Sequence, residues 1–281
     1  YYSVNKENVF AGNGSDEVLA LSFISFFKQE LPILFPDISY SFYEVYCSIF
    51  EIENVRVPLT ADMDIFLADY TQPNGGIVFP NPNAPTGKLL SLDQIKNLLE
   101  RNDKSVVIVD EAYIDFGGES AIQLIGEYEN LLVAQTFSKS RSLAGLRVGA
   151  ALGSEKLIEG LERAKNSFNS YPLDRLAITG AVEAIRDEAY FRATCKKVIK
   201  TRERTVAALS KLGFSIVPSM ANFIFVKPSG IQARELYTRL KDENILVRYF
   251  DKPRIDAYLR VTIGTDADMQ TFIEKISRIV A

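Results

Sequence analysis

The 281-residue chain has no histidine, no tryptophan, three methionines and two cysteines. Without an imidazole there is no Ser-His-Asp triad, no histidine general base and no histidine-bearing zinc site. Cys47 and Cys195 are too few for a four-thiolate cluster or a disulfide framework. They form no CxxC pair, which favours a reducing, cytoplasmic compartment. Long apolar runs are also lacking. The best candidate, 19–27, falls short of the ~18–20 residues that cross a bilayer, and the N-terminus carries no signal-peptide pattern. Nor is there an excess of positive charge: 32 Lys+Arg against 36 Asp+Glu leaves −4, which argues against nucleic acid or an anionic membrane as partner. Proton transfer in such a chain falls to lysine, carboxylate, tyrosine or a cofactor.

What is present is ordinary globular composition, 47% hydrophobic and 24% charged, long enough for one large or two modest domains. Short β-type runs at 9–11, 31–35, 55–59, 77–79, 106–109, 131–134 and 146–152 interleave with helical periods, among them 41–50 and 91–99 with Ser91 as N-cap. The β-branched run Val106-Val107-Ile108-Val109 does not alternate and predicts a strand buried on both faces. Strands interleaved with helices predict an α/β unit, a mainly parallel sheet flanked by helices with ligands at the carboxyl ends of the strands. Beyond about 153 the texture changes. Helices at 155–166, 173–188, 190–212, 231–241 and 268–280 and strands at 214–218, 222–226 and 259–263 predict a smaller α+β unit. The expected division is a large domain at 1–165 and a small C-terminal domain at 166–281.

The loops after the strands carry the polar motifs. Asp110, closing a hydrophobic strand in Asp110-Glu111-Ala112-Tyr113, suits a cationic ring nitrogen in a dry site; the alternative is an acidic strand cap. Lys139, in Thr136-Phe137-Ser138-Lys139-Ser140, stands where an amine can be desolvated into a Schiff-base nucleophile; alone it reads more readily as a solvated surface lysine. Hydroxyls beside it and Arg147 could hold a phosphate dianion. Gly12-Asn13-Gly14-Ser15-Asp16-Glu17 offers helix-start N–H groups to an anion, or is simply a helix start capped by Ser15 or Asp16. In Asn81-Pro82-Asn83-Ala84-Pro85-Thr86-Gly87, Asn83 could meet a cofactor's phenolic oxygen, or the segment is only a turn. Tyr40 could cover an aromatic ring, its neighbours being core. Arg260 could clamp a carboxylate, though a lone strand arginine is more often a surface ion pair. The basic run Lys196–Arg204 reads as a solvated helix face.

Taken in order, these motifs resemble the fold-type I pyridoxal-phosphate aminotransferases, most of all the histidinol-phosphate branch of class I/II. The likeness runs from Asn8 to Val280, and Lys139 stands 139 − 110 = 29 residues after Asp110. The resemblance implies pyridoxal 5′-phosphate bound to Lys139, which then acts as general base. It implies Asp110 on the pyridinium nitrogen, Tyr113 and Asn83 near the ring oxygen and Tyr40 on the ring face. It implies Ser15, Asp16, Thr136, Ser138 and Arg147 around the phosphate, and Arg260 on the substrate α-carboxylate. It further implies amino-acid and keto-phosphate substrates, with glutamate as donor, and a homodimer. Relatives carry an asparagine where this chain has Ala84, and an N-terminal arm ahead of the point where this chain starts. A threonine-phosphate decarboxylase, another class I/II aminotransferase, and a catalytically idle module of the same fold share these motifs.

Overall fold

A computed structural model describes residues 1–280. The non-alternating run becomes β5 (Val107–Asp110), and all four of its residues are buried. In chain order it is preceded by β1 (Val9–Asn13), α1 (Gly14–Phe26), β2 (Ile33–Pro36), α2 (Phe42–Phe50), β3 (Asn54–Val57), β4 (Gly76–Pro80) and α3 (Leu92–Arg101), and followed by β6 (Leu131–Thr136) and β7 (Val148–Gly153). These form one seven-stranded sheet of order β1-β7-β6-β5-β4-β2-β3. The pairs among β2, β3, β4, β5 and β6 are parallel, and β7 lies antiparallel to both β6 and β1. Ile108, Leu132 and Ala134 face Phe23, Tyr43 and Leu161 on one side. Val107, Val109, Leu131 and Val133 face Ile95, Leu98 and Leu124 on the other. Each such fully buried aliphatic side chain contributes on the order of 1.5–3 kcal/mol, which is why the strands read as continuous hydrophobic runs. Ser91 caps α3 as expected: it accepts from Gln94 N–H, and the Gln94 side chain accepts from Ser91 N–H in return.

Beyond the sheet come α4 (Glu155–Phe168), α5 (Arg175–Arg186), the long α6 (Glu188–Lys211), β8 (Ser215–Val217), β9 (Phe223–Lys227), α7 (Ala233–Asp242), β10 (Arg248–Tyr249), β11 (Leu259–Thr262) and α8 (Asp266–Val280). A second, wholly antiparallel sheet has the order β10-β11-β9-β8. Its core joins Ile224, Val226, Leu236, Leu259 and Phe272. The architecture is the expected α/β sheet followed by a smaller α+β unit. Two local expectations change and one strand is added. The strand predicted at 146–152 starts only at Val148, because Ala144–Leu146 form a 3-10 turn and Arg147 adopts a left-handed conformation (φ 52°). The two-residue β10 is too short to show as a periodic run. The basic run on α6 is not one solvated face: Lys196, Lys197, Lys200 and Arg204 are exposed, but Arg202 is 5% exposed. No helix among the described residues is long and apolar enough to cross a membrane.

Candidate active site

The carboxyl ends of β5 and β6 and the start of α1 meet along one edge of the large sheet, and the small sheet faces them. Asp110, the last residue of β5, is 4% exposed. Its Oδ2 accepts from the Tyr43 hydroxyl at 3.0 Å and its Oδ1 from Ala112 N–H at 3.2 Å. Burial pushes its pKa from 3.8 to about 6, and these hydrogen bonds and the Lys139 charge hold the rise in check. Glu111 points to the opposite layer and is equally enclosed. It accepts from the Ser120 hydroxyl (2.6 Å), Ala121 N–H (2.6 Å) and the Gln135 amide (2.9 Å), while burial lifts its pKa to about 7.

Tyr43 was not among the expected site residues, since the aromatic neighbours of Tyr40 were read as core. It is core, yet its hydroxyl serves Asp110. The signal was its position three residues after Tyr40, which puts both on one side of the α2 start. The Tyr40 ring stacks on Phe42 (5.6 Å, 16°) and meets Tyr43 edge-on (5.7 Å), while its hydroxyl donates to Asp16 Oδ1 at 2.8 Å.

Helix α1 begins at Gly14 and has no side-chain cap. Asn13 makes no capping bond, and its own N–H donates to Glu17 Oε2 at 2.6 Å. Neither Ser15 nor Asp16 is the cap. Both lie inside the first turn, where N–H groups lack intrahelical acceptors. Around this turn Arg147 Nη2 reaches Asp16 Oδ2 at 3.1 Å and Nη1 reaches Ser138 Oγ at 3.4 Å, and Ser138 N–H donates to Thr136 Oγ1 at 3.1 Å. Two glycines allow the convergence. A Cβ on Gly149 would overlap Gly14 C and Ser15 N, and one on Gly14 (φ +78°) would strike the Arg147 guanidinium. The left-handed backbone at Arg147 costs a non-glycine residue about 1 kcal/mol or more, consistent with a position held for its guanidinium.

Lys139 is exposed, its Nζ 5.6 Å from the centroid of the Tyr113 ring. Tyr113 packs edge-on against Phe223 of β9 (5.0 Å), and the Arg260 guanidinium of β11 lies 5.1 Å over the same Phe223 ring. Burial raises the Tyr113 pKa and lowers that of Arg260. Arg260 Nε is buried without a partner. Asn83 is 1% exposed and spends both amide hydrogens, on Ile38 O (2.9 Å) and Thr86 Oγ1 (3.1 Å), leaving its Oδ1 unpartnered. In this rotamer it has no hydrogen left for a phenolic oxygen. Ala84 packs against Ala221 and Phe223, an apolar contact in which an asparagine amide would lose its hydrogen bonds.

Between Tyr40 and the small sheet lies a cavity of about 630 Å³. Five cationic side chains line it. Arg254 is paired with Asp37 (2.6 Å) and Arg56 with Glu44 (3.3 Å). Arg248, Lys252 and Arg260 have no carboxylate partner among the described residues. Arg248 and Lys252 were missed because neither lies in a recognisable motif, and Arg248 sits on the short β10.

This arrangement joins a buried carboxylate, an amine, an open helix start and a cationic cavity at one sheet edge. The family profile described as "Aminotransferase class I and II" matches residues 1–276. The chain belongs to this family. The aminotransferase is 60% identical over 268 residues to histidinol-phosphate aminotransferase 1 of Hydrogenovibrio crunogenus, covering 95% of this chain and 75% of that protein. Among solved structures it is similar to the histidinol-phosphate aminotransferase of Clostridium acetobutylicum, with a TM-score of 0.91, 24% identity, and coverage of 99% of this chain and 86% of that one. It is also similar to the histidinol-phosphate aminotransferase of Sinorhizobium meliloti in complex with pyridoxal-5′-phosphate, with a TM-score of 0.87, 22% identity, and coverage of 98% and 77%. Pyridoxal phosphate is the cofactor of such aminotransferases, and the groups present suit it. The uncapped α1 start with Arg147 and Ser138 suits its phosphate, the buried Asp110 a protonated ring nitrogen, and the Lys139 amine an aldehyde.

Proposed function

We propose that this aminotransferase exchanges an amino group between glutamate and the pair histidinol phosphate and imidazole acetol phosphate, a step of histidine synthesis. The observation that carries the reading is the cavity beside Tyr40. Its three cations without carboxylate partners, Arg248, Lys252 and Arg260, match the charge of a substrate bearing two carboxylates, as glutamate does, or one phosphate, each held in turn. The names of the similar proteins support the same choice.

Pyridoxal phosphate, when bound, supplies an aldehyde that takes up the amino group and a ring that accepts the electron pair left at the substrate Cα. The chain does the rest. Ser15 and Asp16 offer backbone N–H groups to the cofactor phosphate, and Thr136, Ser138 and Arg147 close around it. Asp110, steadied by Tyr43, keeps the ring nitrogen protonated. Tyr40 covers one ring face and Tyr113 bonds the ring oxygen. Asn83 can assist there once its amide turns over, giving up Ile38 O. Arg260 clamps the α-carboxylate, and its unpartnered Nε fits that task. Lys139 takes the proton from Cα and returns one to the second substrate.

The reading includes a cytoplasmic homodimer divided into 1–165 and 166–281. Two free, buried cysteines support a reducing compartment. Phe168, Tyr171 and Leu176, each at least 79% exposed, support a subunit contact at that edge. Sedimentation tests it: the protein should run as a dimer, and Tyr171→Asp with Leu176→Asp should run as a monomer.

For the activity, purified protein is titrated with pyridoxal phosphate and its visible absorbance followed, then supplied with glutamate and imidazole acetol phosphate. Formation of 2-oxoglutarate and histidinol phosphate is expected. Release of CO2 from threonine phosphate without amino transfer would assign a decarboxylase instead. No cofactor uptake would leave only an idle module.

A further inference from the structure

Arg202 lies on α6, inside the basic run and outside every motif assigned to the active site. It is 5% exposed and has no carboxylate partner among the described residues. Its Nη1 donates to two backbone carbonyls, Phe116 O at 2.8 Å and Ala221 O at 2.8 Å. These carbonyls belong to opposite sides of the active site. Phe116 ends the segment that starts at Asp110 and contains Tyr113, on the large sheet's edge. Ala221 lies two residues before Phe223, on the approach to β9 of the small sheet. Burying a guanidinium is costly unless its donors are used, so its place here is tied to those two acceptors.

The segment Ser219–Ala221 also receives the other loop from the large sheet's edge. Met220 N–H donates to Gly87 O at 2.9 Å. Gly87 (φ +82°) sits so close to Ser219 that a Cβ would overlap it. Ala84, on the same loop, packs on Ala221 and Phe223. Just past this seat, Phe223 carries Tyr113 on its edge and Arg260 over its face. The order Tyr113–Phe223–Arg260 therefore fixes how far the carboxylate-binding guanidinium stands from the cofactor-facing tyrosine. Arg202 ties the chain on either side of that stack.

We propose that Arg202 is a positioning residue that sets the reach from Arg260 to the cofactor ring by clamping Phe116 O and Ala221 O to one guanidinium. The inference rests on the aminotransferase reading and adds a residue to it. Arg202 touches neither substrate nor cofactor; it acts through Phe223 and Arg260. Its loss should weaken capture of the substrate carboxylate and leave the cofactor's phosphate anchorage intact, because Ser15, Asp16, Thr136, Ser138 and Arg147 make no hydrogen bond to Arg202.

The test uses the cofactor-loaded protein and the variants Arg202→Met and Arg202→Lys, the first keeping volume without donors, the second keeping the charge on a shorter side chain without the planar Nη1 that spans both carbonyls. KM for glutamate does not depend on the fraction of folded protein, so it separates positioning from general damage. The expected result is a KM about tenfold higher, with the cofactor dissociation constant unchanged within about twofold. In an Arg260→Lys background the same Arg202 change should have less than about twofold effect, since the two act through one path. If the methionine protein is insoluble, the lysine variant gives the same reading. An unchanged KM, an equal effect in both backgrounds, or loss of cofactor affinity in step with KM overturns the proposal. A wild-type protein that transfers no amino group would instead sink the functional reading, and this inference with it.

Discussion

Replacing Asp110 by asparagine should stabilise the cofactor-free protein at pH 8 while disabling the enzyme. Burial holds the Asp110 carboxyl at a pKa of about 6 in the folded chain against 3.8 for the free group. A raised acid pKa means that the folded state favours the protonated form. No penalty exists below 3.8. It grows as pH rises through about 6, and is then complete at about 3 kcal/mol. Asparagine carries no charge and so escapes this penalty. Its single carbonyl can still accept from Tyr43, but the Ala112 N–H loses its acceptor, a loss of about 1 kcal/mol. The variant should thus be about 1–2 kcal/mol more stable at pH 8, with the gain shrinking through pH 6 and gone near pH 4. Urea unfolding of cofactor-free protein across that range measures it. A variant less stable than wild type at pH 8, or a difference that does not change with pH, refutes the reasoning. With cofactor present the sign should reverse, because a protonated ring nitrogen beside Asp110 favours the carboxylate.

Glu111→Gln should gain less than Asp110→Asn, although burial lifts the Glu111 pKa to about 7. Escape from that penalty is worth about 3 kcal/mol at pH 8. The two Glu111 oxygens accept three hydrogen bonds, however, and a glutamine amide would turn its own N–H groups toward a donor, a loss of about 1–3 kcal/mol; a net gain of about 0–2 kcal/mol at pH 8 that becomes a loss near pH 4 is expected in the same unfolding assay. Lys139→Ala should abolish turnover and leave stability within about 0.5 kcal/mol, since the side chain is exposed; steady-state rates and melting curves check both halves. Gly149→Ala should cost about 1–3 kcal/mol by forcing β7 away from the Gly14–Ser15 backbone, and should weaken cofactor binding in an equilibrium titration more than Ala151→Gly, which lies on the same strand away from the cradle.

The large sheet was readable because burial on both faces leaves a plain signature. Val106–Val109 and Leu131–Ala134 are continuous apolar runs, and their ends pointed to Asp110 and to the Thr136–Lys139 loop. Less readable were features whose cause is tertiary. Nothing local marks Arg202 as different from Lys200 or Arg204; only its position facing Phe116 and Ala221 does so. Tyr43 has a double role that composition cannot express, as both a core ring and a hydrogen-bond donor to Asp110. The start of α1 carried good capping residues in Ser15 and Asp16, yet the backbone turns one residue earlier, because Gly14 takes the positive φ and Asn13 closes on Glu17. Ala84 looked like a departure from the family pattern, and its surroundings supply the reason, an apolar seat against the small sheet.

Strand β1 is one of the two edge strands of the large sheet and, among the described residues, pairs with β7 alone, with Val9 opposite Leu152. All of the chain between Asn13 and Val148 must therefore be made before β1 has β7 to pair with. Contacts so distant in sequence form late and slowly. Until then the start of α1 has no Gly149 behind it and no Arg147 beside it, and the anion cradle does not exist. Phosphate affinity thus appears only when the sheet is complete, so a phosphorylated ligand captures finished molecules in preference to partly folded ones and draws the population toward them by mass action.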